Sequence, residues 1–182
     1  MEILASLRNR DHRLTKRMVA WDSDWARRLL PPVEEAAEHT KLWWAAAVAM
    51  ATTGRWRGGK AAAAGITAMA VAELLSNGVA KQLVERRRPP KEWVPHDDVE
   101  DRPDSSSFPS GHTAAAVAFT AAVAPTWPGA GAACAVPMAL VAIERVHSGA
   151  HYPSDVAAGA VIGLAAAALA RATPRLVVRY VG

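Results

Sequence analysis

The sequence is poor in cysteine, in large apolar side chains and in organised positive charge, and each shortage excludes a class of protein. Cys134 is the only cysteine among 182 residues, which excludes an internal disulfide and a thiolate metal cluster. Ile and Phe are sparse while Ala and Val dominate, a composition that favours closely packed helices because Ala loses almost no entropy in a helix. No basic stripe with interleaved aromatic residues is present, so nucleic acid is not an expected partner despite a net charge of +4.

The N-terminal region is basic and amphipathic rather than uniformly apolar. Residues 1–17 lack a contiguous apolar core and a small-residue cleavage site, so we expect no cleavable signal peptide. Residues 12–30 mix Leu, Val and Trp with Arg, Lys and Asp, which predicts an amphipathic interfacial helix that ends before Pro31-Pro32. We therefore predict that residues 1–40 form an N-terminal amphipathic, interfacial region.

Beyond this region, the apolar residues are concentrated in segments that carry almost no charge. There are five such segments, at 42–53, 61–80, 113–124, 131–143 and 156–170. A spanning helix needs about 20 apolar residues, so several segments are short, and a soluble helical bundle is the alternative. Five such segments would leave little polar face for water. We therefore predict an all-α, membrane-embedded bundle of about five apolar helices over residues 41–182, multi-pass in the cell membrane.

The basic residues give this bundle an orientation. The turn at 54–60 and the C-terminal tail from Arg171 are both basic and are separated by an even number of spans, so both are expected in the cytoplasm. The loops at 81–112 and 144–155 then share the extracytoplasmic face. The N-terminal region is also basic, which leaves its side open.

Because successive helices alternate in direction, polar residues at four helix ends are expected to meet at that extracytoplasmic face. The ends of the second to fifth segments carry Lys81, Arg88, Ser110, Gly111, His112, Arg145, His151 and Asp155. Two helix N-termini add free backbone N–H groups and positive dipole ends, and three cations accompany them. This combination predicts a phosphate site.

The residue types suit phosphoryl transfer. The three cations would hold the equatorial oxygens, on which charge develops in the transition state. His151 would attack phosphorus as a neutral imidazole, with Asp155 fixing its tautomer through the other ring nitrogen. His112 would protonate the leaving oxygen and then activate water. Each residue alone also has an ordinary explanation as an anchor, cap or turn, so the prediction depends on their combined order and position.

These residues fall in three motifs that resemble those of the type 2 phosphatidic acid phosphatase family, which includes vanadium haloperoxidases and bacterial acid phosphatases. The first motif, Lys-x6-Arg-Pro, matches residues 81–89, and the second, Pro-Ser-Gly-His, matches residues 109–112. The third, Ser-Arg-x5-His-x3-Asp, matches residues 144–155, except that Glu144 stands where the family usually has Ser. One motif alone is modest evidence, whereas the three together are highly specific.

The resemblance implies an all-helical fold and a metal-independent reaction through a phosphohistidine intermediate, with no cofactor. It implies His151 as nucleophile, Asp155 as its partner and His112 as general acid. The phosphate binders that it implies are Lys81, Arg88, Ser110, Gly111 and Arg145. The carboxylate of Glu144 would weaken the hold of Arg145 on phosphate. The membrane branch of the family usually has its site at the outer face, in agreement with the charge pattern.

The leading functional hypothesis is hydrolysis of a lipid phosphate or diphosphate, such as phosphatidate, phosphatidylglycerol phosphate or a polyprenyl (di)phosphate. The alternatives are a vanadate-dependent haloperoxidase and a non-catalytic lipid-binding membrane protein. The sequence leaves three points open: which lipid is used, whether the phosphoryl group is transferred to water or to another acceptor, and the oligomeric state. His96, Asp97 and Asp98 have the composition of a metal site, but a solvated loop is the more ordinary interpretation.

Overall fold

The computed structural model describes residues 2–95 and 105–181, and within these ranges the chain is helical and has no β-strand. The α-helices are α1 Glu2–Val19, α2 Asp24–Ala37, α3 Lys41–Thr53, α4 Arg55–Glu73, α5 Lys81–Leu83, α6 Gly111–Val123, α7 Pro128–His147 and α8 Pro153–Val181. A π-helical segment, Leu74–Ala80, joins α4 to α5, and short 3-10 helices lie at Glu38–Thr40 and Lys91–Trp93. The predicted all-α fold is confirmed. His96, Asp97 and Asp98 lie outside the described residues.

Within the described residues, three helical stretches are long and apolar enough to cross a membrane: Arg55–Leu83, Pro128–His147 and Pro153–Ala172. The other two predicted apolar segments form α3 and α6, which have 13 residues each. At about 1.5 Å per residue, neither reaches across a hydrocarbon core of about 30 Å. α6 is instead enclosed by α4, α7 and α8, and most of its residues are buried. On the outside, Val161 and Leu164 of α8 are exposed, as expected of a surface that faces lipid.

Small residues bring α6 and α8 into close contact. A Cβ atom added at Gly159 would lie 2.4 Å from the carbonyl oxygen of Ser110, and one added at Gly163 would lie 2.6 Å from that of Ala114. Only glycine permits this approach of one backbone to another. The contact places the N-terminal ends of α6 and α8 side by side.

The N-terminal region differs from the single predicted helix. α1 ends at Val19, and α2 begins at Asp24 after Ser23, whose side chain accepts a hydrogen bond from the amide of Ala26 at 3.3 Å. α2 then continues through both prolines at 31–32, so the prediction that the helix ends before them is wrong. The serine cap starts a new helix at residue 24, and burial of its apolar face against α7 outweighs the two missing backbone donors.

Candidate active site

The N-terminal ends of α6 and α8 are joined by hydrogen bonds. Ser110 is the N-cap of α6, and its hydroxyl oxygen accepts a hydrogen bond from the Thr113 hydroxyl at 3.0 Å. The amide of Ser110 donates to the carbonyl oxygen of Asp155 in the first turn of α8 at 3.0 Å. This amide is therefore already used, and the first turn of α6 offers the amide of Gly111 and the hydroxyl hydrogen of Ser110 to a ligand.

Gly111 also lies where a larger residue would not fit. A Cβ atom added there would lie 2.9 Å from the side-chain oxygen of Asn77, in the π-helical segment. The segment that leads to Lys81 therefore packs directly against the start of α6. This contact brings the first and second sequence motifs together.

His151 lies in the loop between α7 and α8 and is only 3% exposed. Its Nδ1 is 2.6 Å from the carbonyl oxygen of Ser107. A carbonyl oxygen only accepts, so Nδ1 carries the hydrogen and Nε2 of the neutral ring carries a lone pair. Burial, reinforced by the nearby charge of Arg88, holds the pKa of His151 well below its ordinary value. The ring is therefore neutral near pH 7, as an attacking imidazole must be.

Asp155 lies beside His151 but does not make the hydrogen bond predicted for it. Its Oδ2 is 3.9 Å from Nδ1 of His151, which is too long for a hydrogen bond. Oδ2 instead accepts from the amide of Tyr152 at 2.9 Å, and Oδ1 accepts from Arg86 at 2.6 Å. The hydroxyl of Ser107 also bonds this carboxylate. Because the carboxylate is engaged by these three donors, the Nδ1 hydrogen of His151 bonds the carbonyl of Ser107 instead.

The predicted cations converge on the two histidines. Arg88 donates to the carbonyl of Ala150, the residue before His151, at 2.8 Å. Arg88 and Arg145 interact electrostatically with both His151 and His112, and Lys81 interacts with His112. The structure thus brings the charged and imidazole groups of all three motifs to one place. This place lies at the C-terminal ends of α5 and α7 and at the N-terminal ends of α6 and α8. Among residues 2–95 and 105–181, no three His, Cys, Asp or Glu side chains are grouped to hold a metal ion.

Arg145 is held by two carboxylates, of which the sequence indicated one. Its Nε donates to Glu144, the residue that departs from the third motif, and its Nη2 donates to Glu34 of α2 at 2.5 Å. Arg145 and Glu144 are buried, whereas the side chain of Glu34 is 39% exposed. Sequence reasoning missed Glu34, because 111 residues separate it from Arg145 and no local pattern marks it.

A second missed group surrounds Asp155. Arg86 of the first motif region bonds both Asp155 and Asp11, and Asp11 comes from α1. The only sequence signal for Arg86 was its position two residues before Arg88. Residues 86–88 are all arginine, so the sequence did not distinguish Arg86 from its neighbour. The position of Asp11 in the N-terminal region gave no signal at all.

Comparison with known proteins agrees with this architecture. A model of the PAP2 superfamily matches residues 61–178. The transmembrane PAP2-type phosphatidylglycerolphosphate phosphatase from Bacillus subtilis is 21% identical with a TM-score of 0.69, over 96% of this chain and 89% of that one. LpxE from Aquifex aeolicus is 21% identical with a TM-score of 0.66, over 87% of this chain and 92% of that one. At this identity the two structures establish the fold. No curated protein sequence matches the chain.

Proposed function

Because the chain belongs to the PAP2 superfamily, we propose that it is a membrane phosphatase that hydrolyses the phosphate or diphosphate group of a lipid. The observation that carries this proposal is the state of His151: buried, neutral and hydrogen-bonded through Nδ1 to Ser107. Its Nε2 is left with a nucleophilic lone pair among cations that would bind a phosphate. The phosphatidylglycerolphosphate phosphatase among the structural neighbours supports the same class of substrate.

The proposed reaction has two displacements at phosphorus. In the first, Nε2 of His151 forms a bond to phosphorus while the bond to the lipid oxygen breaks, and His112 in its imidazolium form donates its proton to that oxygen. Burial and the nearby charge of Arg145 lower the pKa of His112 to about 4, so this proton enters with the phosphate anion, whose negative charge raises that pKa. In the second, His112 takes a proton from water, the water oxygen bonds to phosphorus, and the N–P bond breaks to release inorganic phosphate. His112 returns to its starting protonation state, so the cycle balances without a metal ion or other cofactor.

The groups around the two histidines would bind the phosphoryl oxygens. Three side-chain cations and the first turn of α6 supply charge and donors for oxygens that become more negative in the transition state. The proposed phosphate binders are Lys81, Arg88, Ser110, Gly111 and Arg145. In this scheme Asp155 stabilises the start of α8 rather than bonding the nucleophile directly. Its carboxylate accepts a hydrogen bond from the Tyr152 amide, and its carbonyl oxygen accepts one from the Ser110 amide.

A lipid substrate follows from where this site lies on the bundle. The ends of apolar helices carry the polar groups, so a headgroup enters among them while its hydrocarbon tail stays between the helices and the bilayer. The candidate substrates are phosphatidate, phosphatidylglycerol phosphate and polyprenyl (di)phosphates. The basic residues at 54–60, which form the start of α4, lie at the other end of the bundle, so we propose that the site faces the extracytoplasmic side.

Phosphate release from these three lipid classes in mixed micelles, with and without a chelator, tests the proposal. We expect release from at least one lipid, unchanged by chelator, and its loss by at least about a thousandfold in His151→Ala, since a covalent nucleophile is removed. Trapping of an acid-labile phosphoryl group on the wild-type protein but not on the variant would identify the intermediate. Full phosphate release by a folded His151→Ala protein would refute the mechanism. Halide oxidation after addition of vanadate would instead favour a haloperoxidase.

A further inference from the structure

A groove outside the three motifs lies between α1 and the start of α8. Its volume is about 510 Å³, within the range of about 300–1,000 Å³ that is usual for sites of small ligands. Among the described residues that line it there is neither a histidine nor any of the proposed phosphate binders. The α1–α8 groove is therefore a cavity separate from the proposed active site.

One wall of the groove is a single face of α1. Leu7, Arg10, Asp11 and Leu14 line it, and their spacing of three, four and seven residues places them on the same side of the helix. The amide and hydroxyl of Ser154 donate hydrogen bonds to the Asp11 carboxylate and so hold this face beside the first turn of α8. Both leucines remain half exposed. The wall therefore offers apolar surface that no part of the described chain covers completely.

The opposite wall is apolar and continues along α8. Pro153 and Ala157 line the groove, and Val161 and Leu164 follow at intervals of four and three residues, which keeps all four on one face of the helix. Val161 and Leu164 are exposed on the surface that faces lipid in a membrane-embedded bundle. The groove is thus continuous with the lipid-facing side of α8.

The groove also carries an excess of positive charge. Arg8, Arg10 and Arg86 line it, against the single carboxylate of Asp11. Asp11 is paired with Arg86, so the charges of these two residues offset each other. Arg8 and Arg10 are exposed, and neither forms an ion pair with a carboxylate among the side chains that the structure describes. Two guanidinium groups beside an apolar groove are therefore available to an anion.

We propose that the α1–α8 groove is a second lipid site, which binds an anionic phospholipid that the protein does not hydrolyse. Arg8 and Arg10 bind the phosphodiester, whose oxygens match the planar fork of a guanidinium. One acyl chain lies against Ala157 and then along Val161 and Leu164. A soluble anion would use only the arginines, and a zwitterionic headgroup would bring a cation to a groove that is already positive. An anionic lipid matches both the charge and the apolar wall.

The experiment measures lipid binding to the full-length protein in detergent by native mass spectrometry. The probe is phosphatidylmethanol, an anionic phosphodiester that is neither a substrate nor a product of the proposed reaction. We expect the first phosphatidylmethanol to bind about tenfold more tightly than phosphatidylcholine with the same acyl chains, since two exposed ion pairs favour the anion. Because the bound lipid contacts only the folded protein, it should also raise the melting temperature. The same binding is expected in His151→Ala, so the result does not depend on the phosphatase mechanism.

A double variant tests the role of charge. Arg8→Gln with Arg10→Gln should weaken binding of phosphatidylmethanol about tenfold, to the level of phosphatidylcholine. The matched control is Arg13→Gln with Arg17→Gln, which removes two positive charges from exposed positions of α1 that do not line the groove. This control should keep the affinity within about twofold of the wild type.

A single variant tests the apolar wall without a change of charge. Ala157→Trp places an indole in the groove and should weaken binding of phosphatidylmethanol at least about tenfold, which corresponds to loss of contact with about two methylene groups of the chain. Val136→Trp is the matched control, because it adds an indole at an exposed position of α7 outside the groove. It should bind phosphatidylmethanol as the wild type does.

Four results would overturn the proposal. Wild-type affinity in the Arg8 and Arg10 double variant, or in Ala157→Trp, would exclude the groove as the site. Equal weakening in the Arg13 and Arg17 control would mean that the overall charge of α1 attracts the lipid. Full competition by inorganic phosphate would identify a site for a soluble anion. A raised KM for micellar substrate in the Arg8 and Arg10 double variant, without added phosphatidylmethanol, would make the groove part of the substrate path rather than a second site.

Discussion

Glu34 binds Arg145, one of the proposed phosphate binders, and this contact leads to a prediction about substrate affinity. Arg145 directs Nη2 to Glu34 at 2.5 Å and Nε to Glu144. A lipid phosphate that binds Arg145 through both edges of the guanidinium must displace at least one of these carboxylates. Glu34 is the one free to move, because its side chain is 39% exposed while Glu144 is buried. We expect Glu34→Gln to tighten binding of substrate.

The size of the effect follows from the exposure of the pair. An ion pair with one partner this accessible to solvent is worth up to about 1 kcal/mol, and the substitution removes that cost from substrate binding. Since about 1.4 kcal/mol corresponds to a tenfold change in affinity, KM should fall by about two- to fivefold. The charge of the nucleophile is unaffected, so kcat should change little.

The assay measures KM and kcat of Glu34→Gln on micellar substrate, together with inhibition by inorganic phosphate. Glu35→Gln is the matched control, since it removes the same charge from an exposed position next in sequence. The inhibition constant for phosphate should fall in parallel with KM in Glu34→Gln alone. A rise in KM would refute the reasoning, because Glu34 would then orient Arg145 for the substrate rather than compete with it.

Two further predictions concern stability. The pKa of His151 lies well below the value of about 6.5 in an unfolded chain. The contribution of neutral His151 to the free energy of unfolding is therefore fully present above that pH. This stability should decline by up to about 1.4 kcal/mol per unit as pH falls below 6.5, and thermal melts of the wild type against His151→Gln should show the difference. Gly159→Ala should lower the melting temperature, by an overpacking cost of about 1–3 kcal/mol, because its Cβ would lie 2.4 Å from the Ser110 carbonyl. Gly59→Ala should leave the melting temperature unlowered, because there is open space around the new Cβ.

The sequence predicted the meeting of motifs because they lie at helix ends, and alternating helix direction is a strong constraint. Lys81 lies in the last turn of the helical stretch Arg55–Leu83, Ser110 caps α6, and His151 precedes α8. Periodicity and capping residues are local signals, so the helices that carry the site could be recognised without knowledge of their packing. The charges on the loops then predicted on which side of the membrane this shared face lies.

Partners that depend on long-range packing could not be predicted in the same way. The spacing of four between His151 and Asp155 is typical of a hydrogen-bonded pair at a helix start, yet the imidazole bonds the carbonyl of Ser107 instead. Arg86, from a different part of the chain, donates a hydrogen bond to Asp155 and so competes with the imidazole for the carboxylate. Spacing restricts which atoms can meet, whereas competition among several donors and acceptors decides which ones do.

The N-terminal helices acquire a role that their composition did not indicate. Their amphipathic pattern predicts an interfacial anchor, and the PAP2 model begins only at residue 61. Yet α1 packs on α7 and α8, and α2 packs on α7. Each of the two helices directs one carboxylate to an arginine near the proposed nucleophile. Asp11 binds Arg86, and Glu34 binds Arg145. The cations of the proposed phosphate site repel one another, and two acidic residues outside the motifs offset that repulsion. Asp11 is buried and is suited to stay in place. Glu34 is accessible to solvent and is suited to move away from Arg145 when substrate binds.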